Sequence, residues 1–135
     1  MFVRTIYIDE WQSRKDNGIN IPNPTWEMVR QAILQLDGDR KTSIALSDKE
    51  HGDHQMIIAG KWENRCMVNA TTNNFDFFSL VEPNGPKKKK ILFVAGQNGD
   101  YEERKCVPVE WALDAAQTFF ETGELTKSLP WESDY

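Results

Sequence analysis

The stretch Ser47-Asp48-Lys49-Glu50-His51-Gly52-Asp53-His54 holds both histidines of the chain and three acids. His-x-x-His with flanking carboxylates is a set of donors that binds zinc, and a zinc-bound water is a nucleophile near neutral pH. Such a site would make the chain a small metal-binding hydrolase using the His51/His54 loop. Two features oppose this. The spacing belongs to a loop between strands, whereas His-Glu-x-x-His pairs its ligands at i, i+4 on one helix face. No third strong ligand stands nearby, and a solvated hairpin tip has the same composition. The expectation is no metal and no cofactor.

Other nucleophiles fare no better. Cys66 and Cys106 are the only cysteines, and both lie in apolar, strand-like runs where free cysteine behaves as a small hydrophobe. In a reducing compartment they are expected to remain two free thiols. No serine stands in a G-x-S-x-G context. Gly96-Gln97-Asn98-Gly99 lacks the lysine and the following helix of a phosphate loop. The run Lys87-Lys88-Lys89-Lys90 could touch phosphates, but no aromatic platform is interleaved with it. Four lysines at a hairpin end also protect an edge from pairing with other chains. No residue is therefore expected to be catalytic, and no nucleic acid is expected as partner.

Charge is uneven along the 135 residues. Positions 1–96 carry 13 basic and 12 acidic side chains; positions 97–135 carry 3 and 9, a net of −6. Acids concentrated in one part of a small domain repel nucleic acid, attract a basic partner and speed encounter with it; they also simply keep the chain soluble. No apolar run reaches the ~18 residues needed to span a bilayer. The first ten residues alternate apolar and polar and include acids, unlike a signal peptide. A cytoplasmic protein without a membrane partner is expected.

The elements follow from periodicity. Residues 2–8 alternate like a strand. Residues 9–23 are polar, with Asn17-Gly18 as a turn, and read as a loop. Thr25 is a helix N-cap, and Trp26, Val29, Ala32, Ile33 and Leu36 form one apolar stripe that Asp37-Gly38-Asp39 ends. Strands are expected over 42–46, 54–62, 65–70, 75–81, 90–95 and 101–107. Glu63-Asn64, Asn84-Gly85-Pro86 and Gln97-Asn98-Gly99-Asp100 are read as turns between them. Pro108 opens a second helix with Ala112, Leu113, Ala116, Phe119 and Phe120 inward, and Gly123 stops it. Short connections make neighbouring strands antiparallel. The expected fold is α+β, one domain over 1–135, with a single antiparallel sheet of about five to six strands and two helices packed on it.

Five tryptophans are many for this length. Trp131, after Pro130, is expected to fold back on the core as a plug. Trp11 follows two acids in the polar segment, which suits either an exposed binding anchor or a cover for the sheet end. The acids that could face a basic partner are Glu110, Asp114 and Glu121 on the outer side of the second helix. Glu102, Glu103, Glu132 and Asp134 flank it. The loop acids Asp48, Glu50 and Asp53 form a rival face.

The pattern Val107-Pro108, Ala112, Ala115, Phe119-Phe120, Thr122-Gly123 and then Pro130-Trp131 resembles the end of the Imm1 immunity proteins of bacterial polymorphic toxin systems. Pro24-Thr25-Trp26-Glu27, Leu34-x-Leu36-Asp37-Gly38 and Ile44-x-Leu46 extend the resemblance over most of the chain. These motifs are caps, core and tail plug. The resemblance implies a small α+β protein encoded beside a toxin, often one with a deaminase domain. It implies stoichiometric inhibition of a cognate protein toxin, with no catalytic residue, by a monomer or homodimer. It marks no contact residue.

Overall fold

The computed structural model describes residues 1–49 and 52–134. It shows β1 (Thr5–Ile8), β2 (Trp11–Gln12), β3 (Lys15–Asp16), β4 (Ile19–Pro22), α1 (Trp26–Leu34), β5 (Ser43–Ser47), β6 (Gln55–Trp62), β7 (Arg65–Thr71) and β8 (Phe77–Leu80). There follow β9 (Lys89–Val94), β10 (Gln97–Glu102), a 3₁₀ turn over Glu103–Lys105, β11 (Val107–Pro108), α2 (Val109–Thr122) and β12 (Trp131–Ser133). The α+β class stands. The sheet count does not: the main sheet has eight strands, ordered β12-β8-β7-β6-β5-β1-β4, with β11 also paired to β7. β2–β3 and β9–β10 form two separate two-stranded sheets. Every pairing in the main sheet is antiparallel.

Three local causes enlarge the sheet. The polar segment 9–23 is not a plain loop: β2 and β3 make a hairpin around Ser13, and β4 returns to pair with β1 as an edge strand. The tail adds β12 beside β8. The chain after β10 turns through the 3₁₀ segment, so Val107–Pro108 pairs with β7 rather than continuing the hairpin.

Both helices cover one face of the sheet. Thr25 Oγ1 accepts the Met28 amide at 3.2 Å and caps α1, as its type requires. Past the helix end, the Asp37 carboxylate accepts the amides of Asp39, Arg40 and Lys41, and these bonds hold its acid below the usual range despite partial burial. α2 starts at Pro108 and stops at Gly123, which is left-handed (φ 76°) and donates to the Phe119 carbonyl. A Cβ at Gly123 would lie 2.6 Å from the Phe2 ring. The glycine thus lets the N-terminal segment close over the helix end, where the amides of Phe2 and Val3 donate to the Phe120 carbonyl. The core lies between helices and sheet: Val29 and Ile33 from α1, Ala112, Ala116, Phe119 and Phe120 from α2, and Ile6, Ile44, Leu46, Met56, Ile58 and Val68 from the strands. Trp26 packs on Phe120 with ring centres 5.9 Å apart. Trp131 folds back against this core, and its indole donates to the Thr126 carbonyl at 2.9 Å, the expected plug.

Among the described residues, no helix covers the opposite face. The β9–β10 hairpin lies across part of it instead, with Leu92 buried against Gly60. Its turn is not at Asn98-Gly99, which lie within β10, but at Ala95-Gly96, both with positive φ. The position is set by Trp11, whose ring would stand 2.5 Å from a Cβ on Gly96. Only glycine lets the indole settle there.

Candidate functional site

The histidine loop comes first. His54 Nδ1 stands 3.6 Å from Asp48 Oδ2, and its ring meets Phe2 edge-on at 4.7 Å. Asp53 is exposed. His51 and Glu50 lie outside the described residues. Among the described residues, no three potential ligands gather around one point. Of the described donors there, one imidazole stands beside one carboxylate and packs on an aromatic ring. The cysteines are buried and unpaired, and burial pushes the Cys66 thiol up to about 12, far from a reactive thiolate.

Seven of the nine acids of residues 97–135 divide into two groups on opposite sides of the sheet. Glu110, Asp114 and Glu121 lie on the solvent side of α2, opposite Ala112, Ala115, Ala116 and Phe119. Eleven residues of helix separate the outer two, about 16 Å along the axis. All three are exposed, and among the described residues no ion pair or side-chain hydrogen bond engages them. They form a rigid stripe of uncompensated negative charge.

The second group is partly neutralised. Arg104 holds Glu132 with two bonds of 2.7 Å and Glu102 with one of 2.5 Å. The guanidinium lowers both carboxyls below the usual range. Glu103 stands 3.8 Å from Lys88. Asp134 accepts from Asn69 Nδ2 at 2.6 Å and Ser79 Oγ at 2.9 Å, which places it at the end of the helix-free face. Sequence gave the acids of this group but not their cation, because the Arg104–Glu132 pair needs the tail to fold back along β8.

Trp11 is half-buried rather than free. Its indole N–H donates to Asp9 at 2.9 Å, and its ring meets Phe93 at 6.4 Å. The remaining edge faces a polar hollow shared with Arg40, Asp39 and Asn98. Of the two readings the sequence allowed, covering a sheet end describes most of its surface. Trp62 carries Lys90 over its ring at 4.7 Å, so one lysine of the basic run is engaged on the sheet.

One feature of the surface escaped the sequence. Tyr7, Ala45, Ile57, Asn69, Ser79 and Glu132 stand opposite one another in register across six strands. They form one row of the helix-free face. Where the hairpin rises from this floor there is a slot of 270 Å³, lined by Ile57, Ala59, Met67, Val94, Tyr101 and Lys105, with Asn69 and Ser79 at its polar end. The signal was present only as alternation within β6 and β7; which of their two faces stays open is decided by the helices.

No helix among the described residues is long and apolar enough to cross a membrane. No curated protein matches the chain. The family model of immunity protein Imm1 matches residues 17–133, from the start of the first edge strand through the tail that plugs the core. Those residues contain both capped helices, the main sheet from β4 onward and every acid of the two groups except Asp134. The chain belongs to the Imm1 immunity protein family.

Proposed function

We propose that this chain neutralises a cognate bacterial toxin, binding it one-to-one and blocking it by bulk and charge. The toxin acts on nucleic acid, with a deaminase as one such chemistry, and the immunity protein itself turns nothing over. It works in the cytoplasm, where a newly made toxin would do harm. The observation that carries the electrostatic part is the exposed, uncompensated stripe Glu110, Asp114 and Glu121 on α2. A toxin that handles nucleic acid has a basic cleft, and an acidic field draws that cleft in as phosphates would. Trp11, Glu102, Glu103, Glu132 and Asp134 make up the contact set we assign, and the stripe acts before contact. The stripe's role is chiefly steering, because exposed charges raise association rates more than they hold a complex together.

The test uses the toxin domain encoded beside this gene. Cells expressing it alone should die, and co-expression of this chain should rescue them. Purified partners should form a one-to-one complex whose association slows as salt rises. Reversing the stripe (Glu110→Lys, Asp114→Lys and Glu121→Lys together) should slow association about 10-fold at low salt. Survival of cells carrying the toxin alone would remove the proposal. Association equally fast at low and high salt would remove its electrostatic part.

A further inference from the structure

We infer that the toxin is held on the helix-free face of the sheet, where the slot beneath the β9–β10 hairpin receives one apolar side chain flanked by basic residues. This deepens the reading above and rests on it. The slot's 270 Å³ falls short of the ~300–1,000 Å³ of small-molecule sites. It fits a side chain, and its lining of Ile57, Ala59, Met67 and Val94 calls for an aromatic or long aliphatic one.

The slot is built before the partner arrives. Arg104 ties Glu132 on the tail to Glu102 on the hairpin. The Ala95 amide donates to Thr42 Oγ1 at 3.0 Å, which fixes the hairpin tip to the start of β5. Both ends of the wall are therefore fastened to the sheet. A preformed pocket spends little of its binding energy on ordering, which is the condition for a hot spot.

Charge at the two ends of the row identifies the neighbours of that side chain. At one end Tyr7 donates to Asp16 at 2.5 Å, and hydrogen bonds from the Glu10 and Gly18 amides and from Tyr7 keep that carboxyl below its usual range. At the other end stands the exposed Asp134. Five strand spacings separate β1 from β12, about 24 Å. An apolar slot between Asp16 at one end of the row and Asp134 at the other complements a knob with lysine or arginine on either side. That is the surface a nucleic-acid-handling toxin presents around its cleft.

The experiment separates holding from steering. The catalytically inactivated toxin domain from the neighbouring gene is the probe, and association and dissociation rates are read separately. Ile57→Arg should speed dissociation at least about 30-fold, as for loss of a hot spot, and Asp134→Lys less. The α2 triple reversal should leave dissociation unchanged and alter only association. Ile57→Arg could also perturb the sheet, so the unaltered chain supplies a second measurement. The Ile57 and Met67 methyl signals should shift on adding the toxin domain, while those of residues on the outer side of α2 should not. Unchanged dissociation in Ile57→Arg, or still methyl signals, with the complex intact would overturn the slot and leave the immunity reading standing. Absence of any complex with the unaltered chain would overturn both.

Discussion

Asp9 and Thr42 are joined by two hydrogen bonds deep in the structure: the Thr42 amide donates to one carboxylate oxygen at 2.6 Å and the Thr42 hydroxyl to the other at 2.5 Å. Ser43 adds its amide and hydroxyl at 3.0 Å each, and the Trp11 indole adds a fifth donor. Asp9 is only 2% exposed, and five donors satisfy its two buried oxygens. Thr42 Oγ1 then accepts from the hairpin tip. One carboxylate thereby connects β1, β5, Trp11 and the wall of the slot.

Asp9→Ala should therefore cost about 3 kcal/mol, since buried donors lose their acceptor together. Urea unfolding measures it. Asp9→Asn retains one acceptor oxygen and should cost less. A cost below that of a typical surface substitution would show that water replaces the carboxylate.

Arg104→Gln tests the tail clamp through pH. Glu102 and Glu132 have folded-state acids lowered from the ordinary 4.5 by Arg104. A lowered carboxyl contributes stability above its unfolded value and loses it as pH falls through the lowered one. The unaltered chain should thus lose urea resistance on acidification below about pH 4.5. The variant should lack that part of the acid slope and be weaker at neutral pH. An identical slope in both would break the assignment.

Tyr7 should ionise late. Its phenol is raised from 10 to about 12, first by the hydrogen bond to Asp16 and then by partial burial and the nearby carboxylates. The raised value means that the bond stabilises the fold fully below pH 10 and less as pH climbs towards 12. An ultraviolet titration of the unaltered chain against Tyr7→Phe isolates this phenol. A Tyr7 midpoint at 10 would show the bond absent in solution.

Gly123→Ala and Gly96→Ala should each destabilise by roughly 1–3 kcal/mol, a cost typical of a strained backbone position with a steric clash. Both glycines have positive φ, and a Cβ on either would press into an aromatic ring, Phe2 in one case and Trp11 in the other. Shortening the ring should separate the two costs: Trp11→Ala should relieve the clash at Gly96 but not the backbone strain. Thermal melts of the single and double variants provide the cycle.

Cys66 and Cys106 should resist thiol reagents until the chain unfolds, because both are buried and the Cys66 thiol stays protonated up to about pH 12. Reaction at the rate of a free thiol in native buffer would contradict that burial.

What the sequence disclosed, and what it hid, follows from the range of the forces involved. Both helices were legible because their signals are local: Thr25 and Pro108 at the starts, Gly123 at one stop and an apolar stripe between. The central strands were legible from alternation. The hairpin turn was misplaced because Asn98-Gly99 is the stronger local signal, whereas Ala95-Gly96 is chosen by the Trp11 ring more than eighty residues earlier. Residues 9–23 were read as a loop because β2 and β3 are two residues each and β4 ends at Pro22, so no run is long enough to show a period. The acids were visible in kind, but their division into a bare stripe and an Arg104-bound group depends on which side of the sheet the tail closes. The slot was invisible, since it arises where the β9–β10 hairpin meets β6, β7 and β8.

The order of the strands sets a sequence for synthesis. The central strands β5, β6 and β7 are made early, yet the helix that shields their greasy side, α2, emerges only after residue 109. β12, made after α2, seals the outer edge beside β8. A half-made chain on the ribosome therefore holds part of that surface, beside α1, uncovered until α2 has been made.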